Sequence, residues 1–205
     1  DHEVEAYVLL LSTWNTGSFR YSASDFDIHL LKEKIRKLKP HFDKIRDEEF
    51  RTIDLDIYEE DIKKIFESLS EHPGIRYTGA SKIAHLKNRE VFIMWDDYIR
   101  GNKKRGYYER IRMIKHCCWK YEKYKENAEG YFRFLKEMQC TFKNINFQHE
   151  WKTFAKAIDE FNYVNITLPI QEMEKEKCVF IIDPISTFPE SFTDDLRIRV
   201  GEDVR

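Results

Sequence analysis

The chain has 205 residues, 41% of them hydrophobic and 15% aromatic, with 15 Phe and 11 Tyr. That much apolar surface can offset the entropy of ordering, so a disordered chain is excluded and one large domain is expected. Lys and Arg number 35 against 37 Asp and Glu, a net charge of −2, so any affinity for nucleic acid must come from a local basic patch and not from the field of the whole molecule.

Gly (7) and Pro (5) are few while 35% of residues are charged, a balance that points to helices rather than turns and strands. The apolar runs at 6–11 and 179–182 are far short of the roughly 20 residues that cross a bilayer. Cys117, Cys118, Cys140 and Cys178 form no C-x-x-C pair and read as reduced thiols of a cytoplasmic protein.

Residues 3–14 place Val4, Tyr7, Val8 and Leu11 three and four apart on one helical face, with Asn15 and Gly17 suited to the C-terminal end. Ser24, Asp25 and Asp27 offer N-cap side chains to a second helix through Ile28, Leu31, Ile35 and Leu38, which Pro40 is expected to close. Asp54 or Asp56 can open a third helix carrying Ile62, Ile65, Phe66 and Leu69, terminated by His72, Pro73 and Gly74. A short helix over 81–86 and an apolar stretch over 91–95 follow, and a helical turn begins at Asp96. Further helices are read over 107–124, 129–142 and 149–162, the last through Trp151, Phe154, Ile158 and Phe161. Residues 179–182 are ambiguous between strand and buried helix end, and the tail over 183–205, with Pro184 and Pro189, reads as irregular. About eight helices with no internal repeat predict a single all-α domain over 1–205.

The chemistry concentrates in residues 73–107. A Pro-Gly turn is followed by Thr78-Gly79-Ala80-Ser81, read as a second tight turn, then Lys82-Ile83-Ala84 opening a helix, then Asp96 and Asp97 after the apolar stretch, then the basic loop Lys103-Lys104-Arg105. A carboxylate in a water-poor cleft stabilises positive charge that develops in a transition state, while an amine can attack an electrophilic carbon and form an imine. A lysine at a helix N-terminus is disfavoured as ammonium by the helix dipole, which would help Lys82 act as that amine. The same backbone amides would suit a phosphate.

This order resembles the helix-hairpin-helix DNA glycosylases, in which a helix, a tight small-residue turn and a second helix precede a catalytic Asp. The resemblance is to the lyase-competent branches, whose Lys lies in a G-x-G-x-K-x-A context; here Thr78-Gly79-Ala80-Ser81-Lys82-Ile83-Ala84 carries small or Thr residues where the glycines belong. It departs from the family in lacking both hairpin glycines at that turn, in a short Lys-to-Asp interval, and in having no four-cysteine cluster motif. The resemblance implies an all-α fold of the glycosylase type, with the hairpin and catalytic segment over 60–107. It makes Lys82 the imine-forming nucleophile and Asp96 the catalytic carboxylate, since the family Asp is followed three residues later by an aliphatic residue and Ile99 fits; Asp97 is the reserve.

Trp14 and Asn15, at the end of the first helix, with His85, Trp95 and Asp97, would then face the substrate. Arg76, Tyr77, Thr78, Gly79, Ser81, Lys87, Lys103, Lys104 and Arg105 would contact DNA. The implied partner is double-stranded DNA with a damaged or mismatched base flipped out, and neither cofactor nor metal is implied. Two other readings stand beside it: a non-catalytic helix-hairpin-helix domain that binds DNA or protein, and a helical protein whose tyrosine-rich surface serves a partner. No P-loop, dinucleotide glycine fingerprint or Ser/His/Asp order is present, so ATP hydrolysis, nicotinamide chemistry and acyl transfer have no support.

Overall fold

The computed structural model describes residues 2–14, 23–101, 124–168 and 171. Among them every regular element is helical: α1 Glu3–Trp14, α2 Ile28–Lys44, α3 Glu59–Ser70, α4 Arg76–Lys87, α5 Ala128–Phe142 and α6 Phe154–Asn162. A 3-10 turn, Ala23–Asp25, precedes α2, and a π turn, Tyr163–Thr167, continues α6. The helix expected over 107–124, apart from Tyr124, and the segments 179–182 and 183–205 lie outside the described residues.

α1 begins and ends where its apolar spacing places it. α2 starts where Asp27 accepts the N–H groups of His29 and Leu30, at 2.8 and 3.1 Å. It does not stop at Pro40 but runs on to Lys44. Pro40 lies on the exposed face, where the carbonyl that loses its donor has access to water, while buried Phe42 and Ile45 hold the last turn in the core. α3 opens at Glu59 rather than at Asp54 or Asp56, because the Asp54 carboxylate takes the Asp56 N–H and closes a local turn instead.

α3 and α4 lie against each other, joined by a short turn in which Gly74 has φ 89° and Arg76 φ 52°. α4 starts at Arg76, not at Ser81, so Thr78-Gly79-Ala80-Ser81 is helix and not a turn. Those residues lack an apolar period, which hides the helix in the sequence. They are small because the packing demands it: a Cβ on Gly79 would fall 2.9 Å from Cγ2 of Ile75 and 4.0 Å from Leu11 of α1. α1 rests on α2 and α4, with Glu5 paired to Lys32 at 2.6 Å and Glu3 paired to Lys87.

α5 begins where Asn127 accepts the Gly130 N–H at 2.9 Å. It supplies Tyr131 and Phe134 to an aromatic core in which Tyr131 stacks on Phe66 at 4.2 Å and Trp95 meets Phe66 edge-on at 5.7 Å. The Tyr131 hydroxyl donates to the Ile93 carbonyl at 2.8 Å, which fastens the non-helical stretch 92–96 to α5. α6 starts at Phe154, five residues after the expected position, because Thr153 takes the N-cap: its Oγ1 accepts from the Lys156 N–H at 3.1 Å and donates to the Arg89 carbonyl at 2.8 Å.

Candidate functional site around Lys82 and Asp96

α4 and the segment 92–100 are held together by hydrogen bonds from polar side chains. Ser81, fully buried, donates from Oγ to the Thr78 carbonyl at 2.9 Å and accepts the Trp95 N–H at 2.9 Å, so one hydroxyl ties α4 to the stretch that ends in Asp96. The buried Arg100 guanidinium donates to the Trp95 carbonyl at 2.8 Å, to Thr78 Oγ1 at 2.9 Å and to Asp97. Burial pushes Arg100 below its ordinary value, with Glu126 and Asp96 pulling the other way. This arginine is absent from the sequence expectations, although its position next to an Asp pair is visible there.

Asp96 is half-exposed and bonded through both oxygens. Oδ1 accepts the N–H groups of Tyr98 and Ile99, each at 2.9 Å, which makes it the cap of the following turn. Oδ2 accepts the Thr167 hydroxyl at 2.7 Å, delivered by the π turn at the end of α6. Single π turns inside α-helices recur at functional sites.

Lys82 lies in the second turn of α4, not at its N-terminus, so the helix dipole does not act on it as the sequence expectation required. Burial supplies the effect instead: it pushes the Lys82 amine below the ordinary lysine value, against the attraction of Asp96 and Asp159, while the cation of Lys156 adds to the depression. Lys82 and Asp96 are therefore in mutual electrostatic reach. α6 brings Asp159, 8% exposed and paired with Lys156 at 2.7 Å, to the same place. Asp159, Lys156 and Thr167 were missed from sequence; an Asp and a Lys three apart on a helix read as an ordinary surface pair.

The other expected substrate and DNA contacts divide three ways. His85 is buried and donates from Nδ1 to the Phe92 carbonyl at 2.7 Å; burial lowers its pKa, and it feels Asp159 and Lys156 as Lys82 does. Trp95, expected to face substrate, is fully enclosed by Phe66, Tyr131 and Phe134 and offers no stacking surface. Asp97 is half-exposed and engaged by Arg100.

Among the residues expected on DNA, Gly79 and Ser81 are buried by helix packing and cannot reach a ligand. Tyr77 stacks on Phe66 at 6.2 Å, Thr78 is taken up by Arg100, and Lys87 by Glu3, whereas Arg76 is exposed. Trp14 ends α1, and Asn15, Lys103, Lys104 and Arg105 lie outside the described residues.

A cavity of about 240 Å³ opens at the C-terminal ends of α2 and α4, lined by Phe42, Asp43, Arg46, Asn88, Arg89 and Glu90 among others; Lys82 and Asp96 are not in its wall. Compared with known proteins, the sequence matches no family model, no curated protein and no solved structure.

Proposed function

We propose that the chain is a divergent helix-hairpin-helix protein of the DNA glycosylase kind, which excises a base from DNA and uses Lys82 to open the resulting abasic site. The observation that carries this reading is a half-buried lysine, kept below its ordinary pKa by desolvation and by a neighbouring cation, that feels the carboxylates of Asp96 and Asp159. Such an amine is neutral more often than a surface lysine, and so available as a nucleophile.

In this mechanism the Lys82 nitrogen bonds to C1′ of a flipped nucleotide, the glycosidic C–N bond breaks, and its electron pair leaves with the base. Asp96 lies against the sugar and stabilises the positive charge that develops there. Proton loss from nitrogen and opening of the sugar ring give the imine, from which elimination of the 3′ phosphate cuts the strand. Thr167 and the Tyr98 and Ile99 amides hold the Asp96 carboxylate in one orientation.

A second reading rests on the position of the turn. Laid on Gly74-Ile75-Arg76-Tyr77-Thr78-Gly79-Ala80, the family's G-x-G-x-K-x-A motif puts its glycines at Gly74 and Arg76, the two positions with positive φ, and its lysine at Thr78. With a Thr there, the hairpin fits a non-catalytic domain that binds DNA or a protein.

Borohydride trapping on duplexes carrying uracil, 8-oxoguanine, hypoxanthine or an abasic site separates the two. The first reading expects a covalent adduct that Lys82→Ala abolishes and Asp96→Asn weakens. An adduct that persists in Lys82→Ala, or neither adduct nor base release from any duplex, removes it in favour of the second.

A further inference from the structure

Residues 146–149, between α5 and α6, take no regular structure, and from Ile145 to Glu150 half-buried and exposed side chains alternate, with Trp151 exposed beyond them. Asn146, Gln148 and Glu150 are exposed polar residues, Phe147 and His149 are half-buried, and the exposed Trp151 is joined to them through its ring. The rings of these residues make a continuous line. Phe50 in the core meets Phe154 at 6.5 Å, Phe154 meets Phe147 at 5.6 Å, Phe147 stacks on His149 at 6.2 Å, and His149 meets Trp151 at 4.4 Å with the planes at 89°.

Exposure rises outward along this line, from 0% at Phe50 to 76% at Trp151. An indole left this far in water is unusual, since Trp carries the largest apolar surface of any side chain and is highly buried on average. Here the ring is not slack: His149 braces its edge, and the Lys152 ammonium, 5.3 Å from the ring centre, is itself held by Glu160 at 2.5 Å.

We propose that Phe147, His149 and Trp151 form a stacking platform for unpaired bases of a nucleic-acid strand, with Trp151 as its principal contact. Three features select this occupant. The surface is aromatic and not aliphatic, which suits flat π-faces of any sequence. A cation lies among the rings: the Arg51 guanidinium is 4.5 Å from the Phe154 ring and reaches the Phe147 carbonyl, a place for a phosphate of a strand whose bases stack, while the charge of Lys152 is already matched by Glu160. The platform is also continuous with the site described above, since α6 begins three residues beyond Trp151 and carries Lys156 and Asp159 towards Lys82. The inference rests on the nucleic-acid reading of that site and adds to it a preference for DNA with an unpaired stretch beside the target.

The test compares a fluorescent oligothymidylate with an abasic strand of the same length and phosphate number built from tetrahydrofuran spacers, which cannot form an imine with Lys82, both titrated with the full chain at one salt concentration. The platform requires the base-bearing strand to bind more tightly and to quench Trp151. Trp151→Ala is expected to weaken oligothymidylate about tenfold while leaving the abasic strand unchanged, and Trp151→Phe to keep most of the affinity. Because Trp151 is so exposed, its removal leaves the core intact, and the far-ultraviolet spectrum of the variant checks this.

Equal binding of the two strands, or unchanged oligothymidylate binding in Trp151→Ala, overturns the proposal. So does quenching of Trp151 by a neutral oligosaccharide in place of the oligonucleotide. Imine trapping run on the same preparations keeps the two readings apart: Trp151-dependent strand binding without an adduct retains the platform and removes the lyase, and an adduct with Trp151-independent binding does the reverse.

Discussion

α3 and α4 are each twelve residues long and pack on each other, yet they are buried by different means. In α3 the large residues Ile62, Ile65, Phe66 and Leu69 form one stripe, and the charged residues Glu60, Lys64 and Glu67 face out. In α4 the buried positions are Gly79, Ala80, Ser81, Ile83, Ala84 and His85, nearly consecutive and therefore spread around the helix. A helix with one apolar stripe owes its place to area removed from water. A helix enclosed on several sides by small and polar residues owes its place to close approach and to satisfied hydrogen bonds, and it can carry a buried histidine beside a half-buried lysine.

Substitutions can break that contrast at graded cost. Phe66→Ala on α3 deletes a ring that stacks on Tyr131 and meets Trp95, and is expected to cost about 3–5 kcal/mol in urea unfolding. On α4 the corresponding loss is polar: Ser81→Ala strands the buried Trp95 N–H and is expected to cost about 1–3 kcal/mol, although it removes a single oxygen. If the two helices were buried alike, the second change would be nearly silent.

A smaller effect of opposite sign is expected at the turn. Arg76 holds φ 52°, a conformation that costs an L-residue roughly 1–2 kcal/mol and glycine little, so Arg76→Gly is expected to stabilise the chain by about 1 kcal/mol or less. A loss of stability in the same unfolding measurement would show that the Arg76 side chain contributes contacts of its own.

The smallest effect sharpens the contrast through pH. The folded-state pKa of Lys82 is depressed, so the folded chain binds fewer protons than the unfolded one between that pKa and the ordinary lysine value of about 10.4. Stability contributed by this site therefore rises with pH across that window. Lys82→Met is expected to be more stable than the native chain at neutral pH, with the gain shrinking as pH approaches the upper limit. A gain independent of pH would assign the effect to packing.

The sequence predicts α1 and α5 almost residue for residue, because each has large apolar side chains at helical spacing and, in α5, a capping Asn. It misplaces the start of α4 because Tyr77-Thr78-Gly79-Ala80-Ser81 carries no such spacing; only tertiary packing makes that run helical. It starts α6 too early because Trp151 is in phase with Phe154 and Ile158 although it points into solvent. Lys82 and Asp96 could be singled out because they lie in one short segment. Asp159, Lys156 and Thr167 come from sixty or more residues further on, and only the tertiary fold relates them to that segment, through the Thr167 bond to Asp96 and the charges that Lys82 feels.

The seat of α1 has a mechanical consequence. Where Gly79 lets Leu11 come close, the fit is steric; nearer its N-terminus α1 is held by the buried Val4 and Tyr7 and, in addition, by the Glu3–Lys87 and Glu5–Lys32 pairs, all four of whose side chains are partly in water. Screening at high ionic strength, where the Debye length falls from about 10 Å at 0.1 M to about 3 Å at 1 M, loosens that end and leaves the other seated. The first amides of α1 are then expected to exchange with deuterium faster as salt is raised, at concentrations that leave the amides of α3 protected.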